Sequence, residues 1–261
     1  MTDTPRTAEA TETAQNTKTA QNTPATGVAP PVGKAEQQHP FILDESARLS
    51  PQIAIWLRDQ IIAGRFEPHQ KLKPEHLAEL CGASATPVRE ALMSLHGEGL
   101  VSFAPGRGFA VQPLTRQDIE DLLSAHAHFA AVLAQRATES LTDEDVVRLR
   151  EIQSGIVKAA AANDYAEIDR LDDDFHRIIN QSAGSNRLKW LYGLTMRFIP
   201  HRLFSDIEGF TEAAVEDHVV IFKGLVNRNP EAAAAAMRAH WLNVATMLIR
   251  HMKTRGVLAD G

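Results

Sequence analysis

Apolar residues recur at helical spacing in two short neighbouring stretches, Leu77, Ala78, Leu80 and Cys81, then Val88, Ala91, Leu92 and Leu95, with Gly82-Ala83-Ser84 between them. The second stretch begins behind Ser84 and Thr86, whose hydroxyls can cap orphan N–H groups. Pro87 then falls at what would be the first helical position, where a missing donor costs nothing. Gly97 and Gly99 close that helix. Leu100-Val101-Ser102-Phe103 and Phe109-Ala110-Val111 read as two short strands around the turn Pro105-Gly106-Arg107-Gly108. Helix, turn, helix and hairpin in this order predict a winged helix-turn-helix, a unit built to read DNA.

The pattern changes on either side of this unit. Upstream, Ile53, Ile55, Trp56, Leu57, Ile61 and Ile62 predict a helix that stops at Gly64, and Pro68 and Pro74 punctuate the approach to the motif. Residues Met1 to about Gln38 are mostly Thr, Ala, Gln and Pro, with TAQNT twice (Thr13 to Thr17, Thr19 to Thr23). That composition cannot bury a core, so a disordered tail is expected. Beyond Pro113 no strand-like alternation remains and glycines are sparse. Helices are expected over Thr115 to Thr138, Thr142 to Asn163, Tyr165 to Ser182, Asn186 to Phe204, Glu212 to Asn227 and Pro230 to Thr254. Thr142-Asp143-Glu144-Asp145 and Asn229-Pro230-Glu231 are explicit start signals. The chain is therefore read as mainly α: a tail over 1–43, a winged helix-turn-helix over 44–113 and an all-helical bundle over 114–261.

Composition narrows the partners. The chain has 261 residues and 44% hydrophobic content, enough for about two domains with real cores. No apolar run approaches the roughly 20 residues of a membrane span, and nothing at the N-terminus directs export, so a cytoplasmic protein is expected. The single cysteine, Cys81, excludes an intrachain disulfide and sits at a position suited to core packing. Net charge is −6. Asp44 to Pro113 holds seven Lys/Arg against eight Asp/Glu, so DNA affinity must lean on helix N-termini, backbone N–H groups and hydroxyls as well as cations. The helical half carries 17 Lys/Arg and 21 Asp/Glu, a net −4 that makes it a poor second DNA surface.

One constellation in the helical half carries chemistry. Asp172 and His176 are four apart and share a helix face. His218 and His240 lie on two later helices that could turn them into the same core, giving three imidazoles and a carboxylate, a set suited to Zn²⁺, Ni²⁺ or Mn²⁺. Eleven histidines also generate such spacings by chance, so spacing alone leaves both readings open.

The segment Leu49 to Val111, with Leu57-Arg58, Ile61, Gly64, Lys71-Leu72, Leu77-Ala78, Pro87-Val88-Arg89-Glu90-Ala91-Leu92, Gly99-Leu100-Val101 and Gly106-Arg107-Gly108, resembles the N-terminal domain of GntR-family bacterial transcription regulators. The helical half resembles the FCD effector domain of the FadR-like subfamily, and Asp172, Phe175-His176, His218 and His240 fall at that domain's metal-binding signature. The resemblance implies a divalent metal, most simply Zn²⁺, on Asp172, His176, His218 and His240. It also implies a small-molecule effector, usually a carboxylate, and a homodimer on double-stranded operator DNA. Where the family usually has an arginine beside the recognition-helix threonine, this chain has Ala85, which leaves Ser84, Thr86 and Arg89 as expected contacts, with Gly106 and Arg107 in the wing. His126 stands where the first effector-domain helix commonly carries arginine, and Ala130 where glutamate is common. Arg197, Arg202 and His126 are the expected effector-binding side chains, His128 is a weaker candidate, and Trp241 is expected in a core or dimer interface.

Two functions compete. One is a ligand-responsive DNA-binding regulator, most simply a repressor. The other is a metal-dependent enzyme using the open position of a His3Asp site. The absence of HExxH, a nucleophile elbow, a phosphate loop or a dinucleotide fingerprint favours the regulator, since an enzyme would leave the winged motif without a purpose.

Overall fold

The computed structural model describes residue 41, residues 48–199 and residues 203–259; the expected N-terminal tail and Arg202 lie outside them. Three helices and a small sheet come first: α1 (Leu49–Ile62), β1 (Lys71–Leu72), α2 (Pro74–Cys81), α3 (Ala85–Gly97), β2 (Val101–Ala104) and β3 (Gly108–Val111). The sheet order is β1-β3-β2, antiparallel throughout, with Lys71 opposite Ala110 and Phe103 opposite Phe109. Proline starts α2 at its first turn, and Gly82 ends it in the left-handed region, φ 60°. Val88, Ala91, Leu92 and Leu95 of α3 are fully buried against Ile53, Leu57 and Ile61 of α1. Each such Leu or Ile contributes roughly 1.5–3 kcal/mol by burial. The wing turn has Pro105 second and Gly106 third with φ +74°, and Arg107 N–H donates to Ala104 O at 3.0 Å, the pattern of a type II turn.

The remainder is helical: α4 (Arg116–Ser140), α5 (Asp143–Ala162), α6 (Tyr165–Ser182), α7 (Asn186–Met196), α8 (Leu203–Asp206), α9 (Phe210–Val226) and α10 (Pro230–Thr254). Capping boxes start α4 (Thr115 with Asp118) and α5 (Thr142 with Asp145). Asn229 Oδ1 accepts from Ala232 N–H at 2.9 Å to start α10. α4 packs along α10, α10 on α9, and α6 on α5 and α4. The expected long helix over Asn186 to Phe204 ends instead at Met196. None of its residues is fully buried, so little packing holds a longer helix in register.

Two-residue strands complete the fold. β4 (Leu114–Thr115) pairs in parallel with β5 (Leu258–Ala259), so the C-terminal strand returns to the segment that joins the winged unit to α4. Val257 is buried against Gly64, whose positive φ of 71° lets the chain turn after α1 with no Cβ in the way.

Candidate functional site

The first candidate surface is formed by α3 and the wing. Ser84, Thr86, Arg89, Gly106 and Arg107 are all exposed. The helix begins at Ala85, two residues earlier than expected, so Pro87 is its third residue rather than its first. That shift has a chemical result. A capping side chain accepts from the second or third N–H of the helix; the third residue here, Pro87, has none, and the Ser84 hydroxyl makes no cap bond although Ser84 is the N-cap residue. The hydroxyl is free for another partner at a helix N-terminus that favours anions. Arg89 Nη2 is held by Glu75 Oε1 of α2 at 2.5 Å. The Glu75 backbone N–H and the Arg89 guanidinium keep that carboxyl below the usual carboxylate range.

The second candidate lies inside the bundle. On α6, Ile168, Leu171, Phe175 and Ile179 form the buried stripe, and His176 is carried inward beside it, 6% exposed. α9 supplies His218 and α10 supplies His240, 1% and 3% exposed. One ligand nitrogen from each of the three imidazoles lies within 4.8 Å of the others. Phe175 stacks on His218 at 4.4 Å between ring centroids and 12° between planes, which fixes that ring. Asp172, one turn before His176, brings Oδ1 to 3.3 Å from His218 Nε2 and Oδ2 to 3.9 Å from His176 Nε2. The four side chains singled out in the sequence are therefore together. Of the rest of the acidic run, Asp173 is exposed, while Asp174 is paired with Arg170 and Arg177.

The electrostatics suit a cation. Burial holds His176 and His218 well below the ordinary histidine range, and His240 beside them adds to the effect, so both rings are neutral, the form that donates a lone pair. Burial, then Asp173 and Asp169, push the Asp172 carboxyl well above its usual range. His176 Nε2 and both ring nitrogens of His218 are buried without a hydrogen-bond partner. Each such orphan costs about 1–3 kcal/mol. A metal ion shared by these lone pairs and the Asp172 carboxylate would satisfy them, so the residues present fit the group.

Sequence reasoning passed over Asp217, whose carboxylate accepts from His240 Nδ1 at 3.3 Å and from Asn243 Nδ2 at 3.1 Å. Burial pushes the Asp217 carboxyl up, but the bonds from His240 and Asn243 outweigh it and leave it below the usual range. With Nδ1 donating to Asp217, His240 offers Nε2 to the cluster. The only sequence signal was its place next to His218.

An aromatic wall closes the cluster. Trp241 is core, as expected, with its ring 5.3 Å from His176, and its indole Nε1 has no hydrogen-bond partner. His126 is fully buried with its ring 4.2 Å from Trp241 and 4.3 Å from Tyr192. Its Nδ1 lies 2.8 Å from Thr195 Oγ1, and its Nε2 is an orphan. Burial, with His240 adding, lowers the His126 imidazole to about 3, so it is a neutral polar group here, not a cation. Arg197, expected beside an effector, ends α7 with Nη1 3.6 Å from Glu98 Oε1, and would have to leave that pair to serve as an anchor. His128 is exposed. Cys81 is buried, and burial pushes its thiol up to about 11.

Fold and site together define a winged helix-turn-helix regulator whose second domain is a helical bundle built around buried imidazoles. The chain matches the family model "Bacterial regulatory proteins, gntR family" over residues 49–111 and the FCD domain over residues 110–243, and it belongs to the GntR family of bacterial transcription regulators. It is 25% identical over 207 residues to the "Uncharacterized HTH-type transcriptional regulator YdhC" of Bacillus subtilis, covering 77% of this chain and 91% of that one. It is 28% identical over 198 residues to the "HTH-type transcriptional repressor GlaR" of Escherichia coli, covering 72% and 90%. Among solved structures, "E. coli McbR/YncC" shares the fold at TM-score 0.60 and 23% identity, covering 78% of this chain and 98% of that one. The protein is thus a DNA-binding transcription regulator and not an enzyme. Among the described residues no helix is long and apolar enough to cross a membrane.

Proposed function

We propose that this regulator is a homodimeric repressor whose helical domain holds one divalent cation on Asp172, His176, His218 and His240 and receives a small effector beside it. In this reading residues 44–113 are the DNA-binding domain and 114–261 the effector and dimerisation domain. The observation that carries the proposal is the buried convergence of three imidazoles next to a carboxylate, with His176 and His218 held neutral and carrying orphaned nitrogens. Three nitrogens and one oxygen suit Zn²⁺, with Ni²⁺ or Mn²⁺ as alternatives. When bound, the cation supplies a Lewis-acidic centre that an effector oxygen can fill.

The protein's own groups then decide what else is bound. Trp241 Nε1–H is a buried donor with no partner, and His126 Nε2 is a buried polar atom beside it in the same aromatic wall. A small anionic metabolite with one metal-binding head and a neutral polar or flat remainder fits this lining better than one that needs a second charged clamp. Arg197 serves as a clamp only by leaving Glu98. The repressor assignment is supported by relatives named as repressors, including GlaR and RspR of Escherichia coli.

On the DNA side, Ser84, Thr86 and Arg89 read one major groove while Gly106 and Arg107 place the wing. A homodimer then reads two related half-sites. Elemental analysis of protein purified without chelator should return one divalent ion per chain, and His176→Ala and His240→Ala should each lose it. Stoichiometric metal in both variants would refute the ligand set. Selection of bound fragments from genomic DNA should return a pseudo-palindrome, and a single unpaired half-site would count against the dimer.

A further inference from the structure

The lightly packed helix α7 touches both ends of the regulator. Its inner face meets the aromatic wall: Tyr192 lies against His126, and Thr195 Oγ1 is 2.8 Å from His126 Nδ1. Two residues on, Arg197 caps the same helix and faces Glu98. Glu98 is itself the C-cap residue of α3, the helix that carries Ser84, Thr86 and Arg89 near its other end.

Glu98 is not a loose surface charge. Its side chain is 12% exposed, and Arg58 of α1, 5% exposed, grips it with two bonds, Nε to Oε2 at 2.9 Å and Nη2 to Oε1 at 2.8 Å. Arg58 therefore locks Glu98 to the winged unit, and the Arg197 contact with the same carboxylate joins α7 to a fixed point at the end of α3. Because α7 has no fully buried residue, it can shift without dismantling a core, whereas α3 and α1 cannot. A displacement of Tyr192 and Thr195 is then passed within about one and a half turns to Arg197.

We propose that Arg197 is a positioning residue for DNA recognition, coupling the face of α7 that lines the imidazole cluster to the recognition helix through the Arg58-locked carboxylate of Glu98. The inference needs the family's DNA binding and the α7 geometry, and does not depend on which metal or effector is bound. Coupling is reciprocal, so DNA at α3 must be felt at α7 just as an effector at α7 is felt at α3.

The test uses the full chain, a DNA fragment it selects, and amide hydrogen exchange of residues 186–196 with and without that DNA. In the wild type DNA should change exchange across α7; in Arg197→Ala the change should vanish, and in Arg197→Lys, which keeps a cation within reach, it should return. Arg197 is 53% exposed, so Arg197→Ala should fold with unchanged metal content and thermal midpoint, while its DNA affinity shifts by up to about five-fold, as expected of a partly exposed ion pair. A wild-type α7 that does not respond to DNA, or a response that survives intact in Arg197→Ala, overturns the proposal.

Discussion

Gly224 on α9 faces the backbone of α10, and replacing it with alanine sets two effects against each other. Within a helix, alanine is preferred to glycine by about 1 kcal/mol, so propensity alone predicts a gain. The new Cβ, however, would lie 2.7 Å from Ala233 N, 2.8 Å from Ala233 Cα and 3.1 Å from Ala232 C, all main-chain atoms that cannot rotate away. Ordinary contact begins at 3.4 Å, so the two helices must part by about 0.7 Å, the difference between 3.4 and 2.7 Å. Overpacking of this kind costs roughly 1–3 kcal/mol. The connection cannot easily take up the strain, because Asn229 N–H donates to Gly224 O at 3.0 Å and Asn229 also caps α10. Gly224→Ala should therefore be net destabilising by up to about 2 kcal/mol, the clash less the propensity gain, a fall of up to roughly 8 °C in thermal midpoint for a chain of this size. His240 lies two turns beyond Ala233 on α10 and His218 on α9, while metal–ligand distances hold to about 0.2 Å. Zn²⁺ affinity, measured by competition with a chromogenic chelator, should accordingly drop by about tenfold or more. Gly193→Ala is the internal control: nothing lies within 4 Å of its Cβ, so helix propensity should act alone and stability should rise slightly. A Gly224→Ala protein as stable as wild type, with full metal affinity, would show that the α9–α10 approach does not set the site.

Asp217→Ala should weaken metal binding by about 10–100-fold without abolishing it, because it frees the His240 ring rather than removing a ligand; calorimetric titration with Zn²⁺ reads this, and an unchanged affinity would remove Asp217 from the site. Arg89→Ala should cost about 1–3 kcal/mol of operator affinity and relax sequence preference, whereas Glu75→Ala, which releases Arg89, should strengthen binding and steepen its salt dependence. Matching losses in both variants would mean that the pair acts as a unit. At pH 8 the Cys81 thiol, pushed up to about 11, is only about one part in a thousand thiolate, so alkylation by iodoacetamide should be over about 100-fold slower in native than in unfolded protein; comparable rates would place the thiol at the surface.

Local signals were enough wherever a residue's role is set within a turn or two of chain. The bounds of α6 and α10, Tyr165–Ser182 and Pro230–Thr254, follow from apolar spacing and from the Asn229-Pro230 start, because capping and amphipathicity are short-range properties. Asp172 and His176 were legible as a pair for the same reason, since 3.6 residues per turn puts them on one face. The family pattern in the sequence named His218 and His240, but the packing of α9 and α10 against α6 is what brings three imidazoles within 4.8 Å. Features that join distant segments left no periodic trace. β1, β4 and β5 are two residues long, too short to alternate, and exist because partners far along the chain supply their hydrogen bonds. Asp217 reaching His240 and Arg197 reaching Glu98 depend on where helix ends fall in space. Even the setting of the Ser84 hydroxyl changed once the start of α3 moved two residues, which made Ser84 the N-cap residue and put a proline at one of its two possible cap donors. Sequence determined which side chains carry chemistry and on which helix face each sits; tertiary packing decided which of them meet, because burial fixes helices to one another over distances that backbone periodicity does not span.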